Sequence, residues 1–387
     1  MTVLHLATWF PEHAEDSAGI FIEKHIEAIS RYDTRNTHLV IPLSHRFTGI
    51  QQPLQLVQQF EKKARAITTP KRNYTVTRLQ FFITHAFLKG PVGEQLYRQV
   101  RHYIKSNKLQ IGYVHAHVTY TAGYVAMRLL EDEGIPYQIS EHMSPFPFMH
   151  MRTPGFISKN IARPLNKAEH ISGVSTHLKK EILDYVNPGK RVDVIPNVVE
   201  HELIGTNNLN PIFSFVLIGH LTVQKGVDIL IESVKILSNQ TTRKFKIVIG
   251  GNGPEFNKLV LLSQQLDVAD YFEWKGSMAH SEVLRLINQC HAFVCSSRHE
   301  SFGVAVVEAL SLGKPVVATN CGGTADTINI RNGILVKTEN PESLAEGMHQ
   351  MMRSYQQFNK IEIEEETRSK YSMKAVGAMF YDWQIQQ

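Results

Sequence analysis

Strand-like and helix-like segments alternate along almost the whole chain, and that alternation limits the fold more than any single motif does. VLHLATW (Val3–Trp9) reads as a strand, followed by the loop PEHAEDSAG and a helix from Ile20 to Tyr32. THLVIPL (Thr37–Leu43) is a second strand, and IGYVHAH (Ile111–His117) a third between the helical stretches QLYRQVRHYIKSNK and TAGYVAMRLLEDEG, the latter stopped at Gly134. PYQISEH, the start of HISGVS and VDVIPN (Val192–Asn197) continue the strand series, with a helix opening after the N-cap candidate Ser175. Residues 44–100 are less regular and predict at least one long amphipathic helix.

The alternation then begins afresh. FSFVLIG (Phe213–Gly219), KFKIVIG (Lys244–Gly250), YFEWKG, HAFVCSS, PVVATN and GILV read as strands. Between and after them lie the helices VDILIESVKIL, FNKLVLLSQQL, HSEVLRLINQC, VAVVEALSLG and PESLAEGMHQMMRSY. Such a series means parallel sheets covered by helices on both faces. A chain of 387 residues exceeds what one core supports. The polar, Gly- and Asn-containing stretch EHELIGTNNLNP (Glu200–Pro211) supplies the boundary. The expected class is therefore α/β, with two doubly wound, Rossmann-like domains (1–202 and 203–370) facing a deep cleft. A tail helix (371–387) with Met379, Phe380, Tyr381 and Trp383 is expected to pack back on the first domain. Ligand sites in such sheets lie at the carboxyl ends of the strands.

Composition removes several function classes. With 43% hydrophobic and 20% charged residues, wholesale disorder is excluded. Three scattered cysteines (Cys290, Cys295, Cys321) form no CxxC pattern, which argues against a disulfide framework and for a reducing, cytoplasmic compartment. The first residues lack the basic and apolar regions of a signal peptide, and no run of apolar residues is long enough to span a bilayer. The net charge is +5, concentrated in EKKARAITTPKRNYTVTR (Glu61–Arg78), where Lys62, Lys63, Arg65, Lys71, Arg72 and Arg78 face one acid. That segment reads as a solvated face, or as a patch for an anionic lipid or acceptor. No zinc finger or RNA-binding signature accompanies it, so nucleic acid is not an expected partner.

Four features at strand ends carry chemistry. Gly19 stands just before a helix start, where free N–H groups favour an anion, though the loop is not GxGxxG and no GxxxxGK[ST] occurs. His115 and His117 alternate onto one face of their strand, and His142 follows the next; no carboxylate or cysteine stands at metal-ligand spacing beside them, so no metal is expected. GHLTVQKGVDIL places Lys225 before a helix, where it adds a point charge to a bound anion, and GGNGPE (Gly250–Glu255) is a tight loop after the next strand. Last, HESFGVAVVEALSLGKPVVATNCGG (His299–Gly323) sets Glu300 in a loop and Glu308 among Val306, Val307, Ala309 and Leu310. A buried carboxylate needs partners, and a ribose diol supplies two hydrogen bonds. Gly303 permits close backbone approach, and Gly322-Gly323 precedes a further helix start.

Taken in order, HAH, SEH, ISGVS, VIPNVV, the KG turn, IVIGGNGPE, the Glu-x7-Glu stretch and NGILV resemble retaining glycosyltransferases of the GT-B group, family GT4, typified by bacterial cell-envelope and exopolysaccharide enzymes. The resemblance spans most of the chain outside residues 44–100. It implies a GT-B fold, a UDP- or GDP-sugar donor, no cofactor and no metal. By the same resemblance Glu308 holds the ribose, Glu300 the donor hexose near its reacting end, Lys225 the diphosphate, and His117 the donor sugar. Gly19 and Ala18 bring the first loop to the diphosphate and acceptor. Gly250, Ser301, Phe302, Gly303 and Val304 complete the donor pocket, while His142 and Asn197 line the acceptor side. Relatives carry arginine where this chain has His220, a weaker cation near pH 7; Arg298 is the candidate to replace it. The implied acceptor is a saccharide or lipid-linked saccharide. The second function compatible with these residues is a nucleotide-sugar-binding scaffold component without turnover. A phosphorylase would require a longer chain with a lysine-bound cofactor, and the ESFGVAVVE stretch points away from non-hydrolysing epimerases. The membrane reading predicts that the chain floats with anionic liposomes and that neutralising Lys62, Lys63, Lys71 and Arg72 abolishes flotation; no flotation of the unaltered protein removes that reading.

Overall fold

The computed structural model describes residues 1–12, 19–43, 46–47, 66–83, 91–143, 145–201 and 209–385. Its contacts divide the chain into two units: Met1–Val198 together with Val376–Gln387, and Val199–Ala375.

The first unit contains strands β1 (Thr2–Ala7), β2 (Thr37–Pro42), β3 (Arg46–Phe47), β4 (Ala66–Pro70), β5 (Thr75–Leu79), β6 (Phe82–Ile83), β7 (Ile111–His117), β8 (Tyr137–Glu141), β9 (His170–Gly173) and β10 (Asp193–Val194). Eight of them form one sheet in the order β10-β9-β8-β7-β1-β2-β5-β4, and β3 pairs with β6. All neighbours in the large sheet run parallel except β4 against β5. Leu4, Leu6, Val40, Ile41, Val114, Ala116 and Ile139 are fully buried along the central strands, as parallel strands covered on both faces must be. The helices α1 (Ile20–Tyr32), α2 (Val92–Ser106), α3 (Tyr124–Glu133) and α4 (Thr176–Leu183) supply the covering layers. Strand order reverses between β1 and β7, so the carboxyl ends of these two strands border the crevice of this sheet.

Two expectations change here. The strand expected over Val192–Asn197 is only the two residues of β10, and Pro196 has no N–H to extend a ladder. In the basic segment, residues 66–78 form most of an antiparallel hairpin, with β4, Lys71 and Arg72 exposed at its edge and turn. Lys71 pairs with Glu23 at 3.2 Å, and Arg78 donates to the Pro11 carbonyl at 2.7 Å. Lys62, Lys63, Arg65 and Ala18 lie outside the described residues, as do 202–208 of the expected boundary.

The second unit carries β11 (Phe213–Ile218), β12 (Phe245–Gly250), β13 (Phe272–Gly276), β14 (Ala292–Cys295), β15 (Val316–Thr319) and β16 (Gly333–Val336). They form a wholly parallel sheet in the order β13-β12-β11-β14-β15-β16. The helices are α5 (Val227–Gln240), α6 (Phe256–Gln265), α7 (His280–Gln289), α8 (Val304–Ser311), α9 (Gly323–Thr327), α10 (Pro341–Ser354) and α11 (Lys360–Tyr371). One buried cluster joins Phe215, Ile247 and Val294 to Leu230, Val234 and Met348; another joins Val216, Phe293 and Val316 to Ile287 and Leu310. These are the two faces of the sheet, and the strand order reverses between β11 and β14.

The last helix, α12 (Met373–Ile385), contributes its residues from Val376 onward to the first unit. A Cβ on Gly377 would stand 2.5 Å from the Tyr32 ring and 3.0 Å from the Ala28 carbonyl, so glycine is what lets this helix lie against α1. Phe380 is 1% exposed and packs edge-on against His25 and His115.

Lys314, in the turn between α8 and β15, is the buried cation of the second fold. It is 4% exposed and its Nζ donates to the Asn288 carbonyl at 2.8 Å. Burial, with a smaller contribution from Lys360, lowers its pKa to about 8. Because the unfolded lysine keeps its ordinary higher value, the unfolded chain holds more protons between about pH 8 and the unfolded pKa of about 10.4. Stability from this group therefore rises with pH across that window and is least below it, the difference being on the order of 3 kcal/mol. Urea unfolding of the unaltered chain and of Lys314→Met from pH 7 to 10 should show this rise only in the former; parallel curves would refute it.

Candidate functional site

In the second unit the crevice is built by the two loops that leave β11 and β14. Gly226, with φ 61°, ends the first loop and starts α5; any Cβ there would fall 2.1 Å from the Ser296 carbonyl oxygen of the second. The loops are laced together: Arg298 N–H donates to Gln224 O (2.7 Å), Gln224 Nε2 to His299 O (2.9 Å), and Ser296 Oγ to Lys225 O (3.0 Å). This close approach brings Lys225 Nζ to 2.6 Å from Glu300 Oε1, which also accepts from Ser297 Oγ at 2.7 Å. Burial works against the lysine's charge, but the Glu300 carboxylate outweighs it and holds Lys225 above its ordinary range. The ion pair joins residues 75 positions apart in sequence.

Glu300 is placed from below as well. Its N–H donates to Cys321 O and its carbonyl accepts from Gly323 N–H, both at 2.8 Å. Gly323 is needed for this contact, because a Cβ would come 2.5 Å from Phe302 Cα and 2.6 Å from Ser301 O. That geometry changes the reading of Gly322-Gly323. Helix α9 has only five residues and its first N–H is already engaged, so it is no second anion site. The tight loop GGNGPE (Gly250–Glu255) packs its glycines backbone to backbone against Gly219–Leu221, a positional role. Leu221 N–H donates to Asn252 O, and Cβ atoms on Gly251 and Gly253 would collide with Gly219 O and Leu221 O.

Glu308 lies on α8, is 8% exposed, and accepts from or pairs with His280 Nε2 at 2.8 Å. His280, first residue of α7, was not singled out by the sequence; only the neighbouring packing of α7 and α8 reveals it. His220 is exposed in the loop after β11. Arg298 does not face this loop as a free replacement cation. Its guanidinium forks onto Asp228 (2.9 and 2.8 Å), and it also reaches Glu339 at 3.1 Å and the Val223 carbonyl at 2.7 Å. Phe302 is buried against Tyr371, Ser301 and Val304 are half-buried beside it, and Gly303, at φ 82°, starts α8.

The first unit gathers histidines instead. His5, His25, His38, His115, His117 and His142 are all 5% exposed or less. Rings of His115 and His117 stack with centroids 4.2 Å apart, in keeping with their alternation onto one face. His117 is 0% exposed, so the sugar contact implied by resemblance is closed to it in this arrangement. Burial lowers the pKa of His25 to about 4 and those of His5, His115, His117 and His142 well below the ordinary value, so all five are neutral. His142 Nδ1 lies 3.0 Å from Asn197 Oδ1. Gly19, at φ 74°, starts α1 and sits on the Trp9 backbone, where a Cβ would be 2.6 Å from the carbonyl carbon. The sequence reading missed His5, His25 and His38. The signal existed: His5 interrupts an apolar strand, and His25 occupies the same inward face of α1 as Ile22, Ile26 and Ile29.

Comparisons with known proteins agree with this layout. The family model of Glycosyltransferase Family 4 matches residues 22–203 and that of Glycosyl transferases group 1 matches residues 207–369. The chain is 27% identical over 248 residues to an uncharacterized glycosyltransferase of Methanocaldococcus jannaschii, covering 63% of this chain and 66% of that protein. It is 29% identical over 220 residues to the phosphatidylinositol N-acetylglucosaminyltransferase gpi3 subunit of Schizosaccharomyces pombe, covering 54% and 46%. The aligned part thus spans between about half and two thirds of these relatives. Among solved structures, an apo lipopolysaccharide outer core galactosyltransferase superposes with TM-score 0.72 at 16% identity, over 99% of this chain and 98% of that one. Anabaena HepE in complex with UDP and glucose gives TM-score 0.71 at 17% identity, over 100% of both chains. At such identity the likeness is one of fold.

Gly323→Ala should therefore displace the Glu300–Gly303 loop, because backbone atoms cannot yield to the new methyl. A loss of about 1–3 kcal/mol in urea unfolding is expected, typical of overpacking; an unchanged midpoint would show that the loop does not rest on this glycine.

Proposed function

The chain belongs to the GT-B glycosyltransferases of the GT4/GT1 superfamily, and from that premise we propose that it moves a hexose from a UDP- or GDP-sugar to a saccharide or lipid-linked saccharide, with retention of configuration. The observation that carries this reading is the Lys225–Glu300 pair at the point where the second sheet reverses its strand order. An ammonium has three N–H donors, and Glu300 takes one of them. Those remaining are the cation for the departing diphosphate. Glu300 in turn has a second carboxylate oxygen for the donor hexose, and Glu308, oriented by His280 through one oxygen, has its other oxygen for the ribose diol.

In the reaction, the bond between the anomeric carbon and the diphosphate oxygen breaks, and the acceptor hydroxyl oxygen bonds to that carbon on the same face. The acceptor's proton passes to the leaving diphosphate, and a short-lived oxocarbenium–diphosphate ion pair lies between. Glu300 and Glu308 are not an acid–base pair of the glycosidase type. The protein contributes positioning and stabilisation of the charge that grows on the leaving group. In this reading the Lys225 ammonium supplies the opposing positive charge without a metal. A lipid-linked acceptor in cell-envelope glycan synthesis and a cytoplasmic location agree with the exposed basic hairpin. Among the described residues, no helix is long and apolar enough to cross a membrane.

A panel of UDP-, GDP- and ADP-sugars tests this. Slow hydrolysis of one donor, lowered about 100-fold in Lys225→Met, is expected. Glu308→Gln should mainly weaken donor binding; unchanged donor affinity would remove its ribose role. Tight donor binding with no turnover on any acceptor would support the scaffold reading instead.

A further inference from the structure

The buried histidines of the first unit have a hydrogen-bond order that can be read from its ends. His38 Nε2 lies 3.0 Å from the Asp33 carbonyl oxygen, which only accepts, so Nε2 carries the proton and the neutral ring has its lone pair on Nδ1. That lone pair receives His5 Nε2–H at 3.0 Å. His5 therefore has its own lone pair on Nδ1, which receives His117 Nε2–H at 3.4 Å. The chain of bonds leaves the lone pair of His117 on Nδ1. His25 Nε2 donates to the Pro196 carbonyl at 2.8 Å, leaving its lone pair on Nδ1 as well. His142 Nδ1 donates to Asn197 Oδ1 at 3.0 Å, which puts its lone pair on Nε2.

Three of these rings, His25, His117 and His142, come together closely enough that one ligand nitrogen from each lies within 4.8 Å of the others. Nδ1 of His25 and Nδ1 of His117 are buried with no hydrogen-bond partner. Such orphaned acceptors cost free energy unless a donor or an electrophile occupies the space between them. We infer that His25, His117 and His142 form a binding site for a divalent transition-metal ion of the Zn2+ type.

The surroundings match what imidazole ligands require. Each of the three rings has its far nitrogen fixed by a second group, namely the Pro196 carbonyl, His5 and the Asn197 side chain, which sets tautomer and orientation. Three imidazoles suit zinc, cobalt or copper rather than magnesium or calcium, and leave a fourth tetrahedral position for water or a small anion. Glu141, one residue before His142, is fully buried and fixes this backbone by accepting N–H bonds from Thr119, His142 and Met143. The neighbouring trio His5, His115 and His117 is a poorer candidate, because both nitrogens of His5 are engaged, with His38 and His117. The five segments that supply the six histidines are far apart in the chain, which is why linear ligand spacing did not reveal the site.

The test is metal content. The untagged full chain, produced with zinc in the medium or refolded from urea with zinc present, should retain about one zinc per chain after gel filtration, the one-ion occupancy of a closed protein site. X-ray absorption at the zinc edge should show three imidazole nitrogens at about 2.0–2.1 Å. His142→Ala, at the most accessible of the three rings, should retain at most about a tenth of that zinc, in line with loss of one of only three protein ligands. Zinc below about a tenth per unaltered chain in both preparations overturns the site. So does full retention in His142→Ala, or an absorption spectrum without three imidazoles. If His142→Ala fails to fold, the absorption spectrum of the unaltered chain decides.

Discussion

A parallel sheet covered on both faces gives a polar side chain within a strand no water to turn to. Nearly everything distinctive in this protein follows from how its two sheets meet that constraint. The second sheet keeps its buried strand positions almost wholly apolar; its charged strand residues Lys246, Glu273 and Lys275 lie exposed on β12 and β13, and the Lys225–Glu300 pair stands beyond the ends of β11 and β14, where the strand order reverses. The first sheet admits polar rings into its interior and satisfies part of their hydrogen-bonding capacity with one another. His38, His5 and His117 form a chain of hydrogen bonds, and His115 joins Ser140 and Ser172 through a second one. Unit by unit, the same architecture thus produces a charged rim and an uncharged polar core.

At the rim, the Lys225–Glu300 pair depends on backbone proximity more than on the two side chains. Gly226 and Gly323 each permit an approach that a methyl group would forbid, and Glu300 is fixed through its own N–H and carbonyl before its carboxylate is considered. Partial burial then makes the pair mutually necessary, since a lone carboxylate or ammonium there would lack a counter-charge. Arg298, the other cation of the loop, is held by Asp228 and Glu339 and serves to brace the loop against α5.

Periodicity made the sheet-and-helix order readable in advance, because strands buried on both faces leave short apolar runs that nothing else explains. Glu300 and Glu308 were visible for the converse reason, as carboxylates in an apolar context. What stayed hidden depended on contacts distant in sequence. His280 meets Glu308 only because α7 packs beside α8. The role of Arg298 turned on Asp228, 70 positions away, and an arginine's sign alone does not say which acid will claim it. The tight turn at Gly250–Glu255 was legible from its glycines, but its contact with Gly219–Leu221 was not; a glycine signals close approach without naming what approaches. The irregular stretch before Val92 proved partly a hairpin, whose edge strand has no buried face to print an alternating pattern.

Phe380 belongs to the first unit although the whole of the second lies between it and the rest of that unit in the chain. During synthesis the histidine-bearing core must therefore wait, without the ring that packs against His25 and His115, until the whole second unit and then Phe380 have been made. The second unit is continuous and is under no such delay. Vectorial synthesis usually lets the amino-terminal domain finish first; here the order of completion is inverted, and the first domain to begin is the last to close.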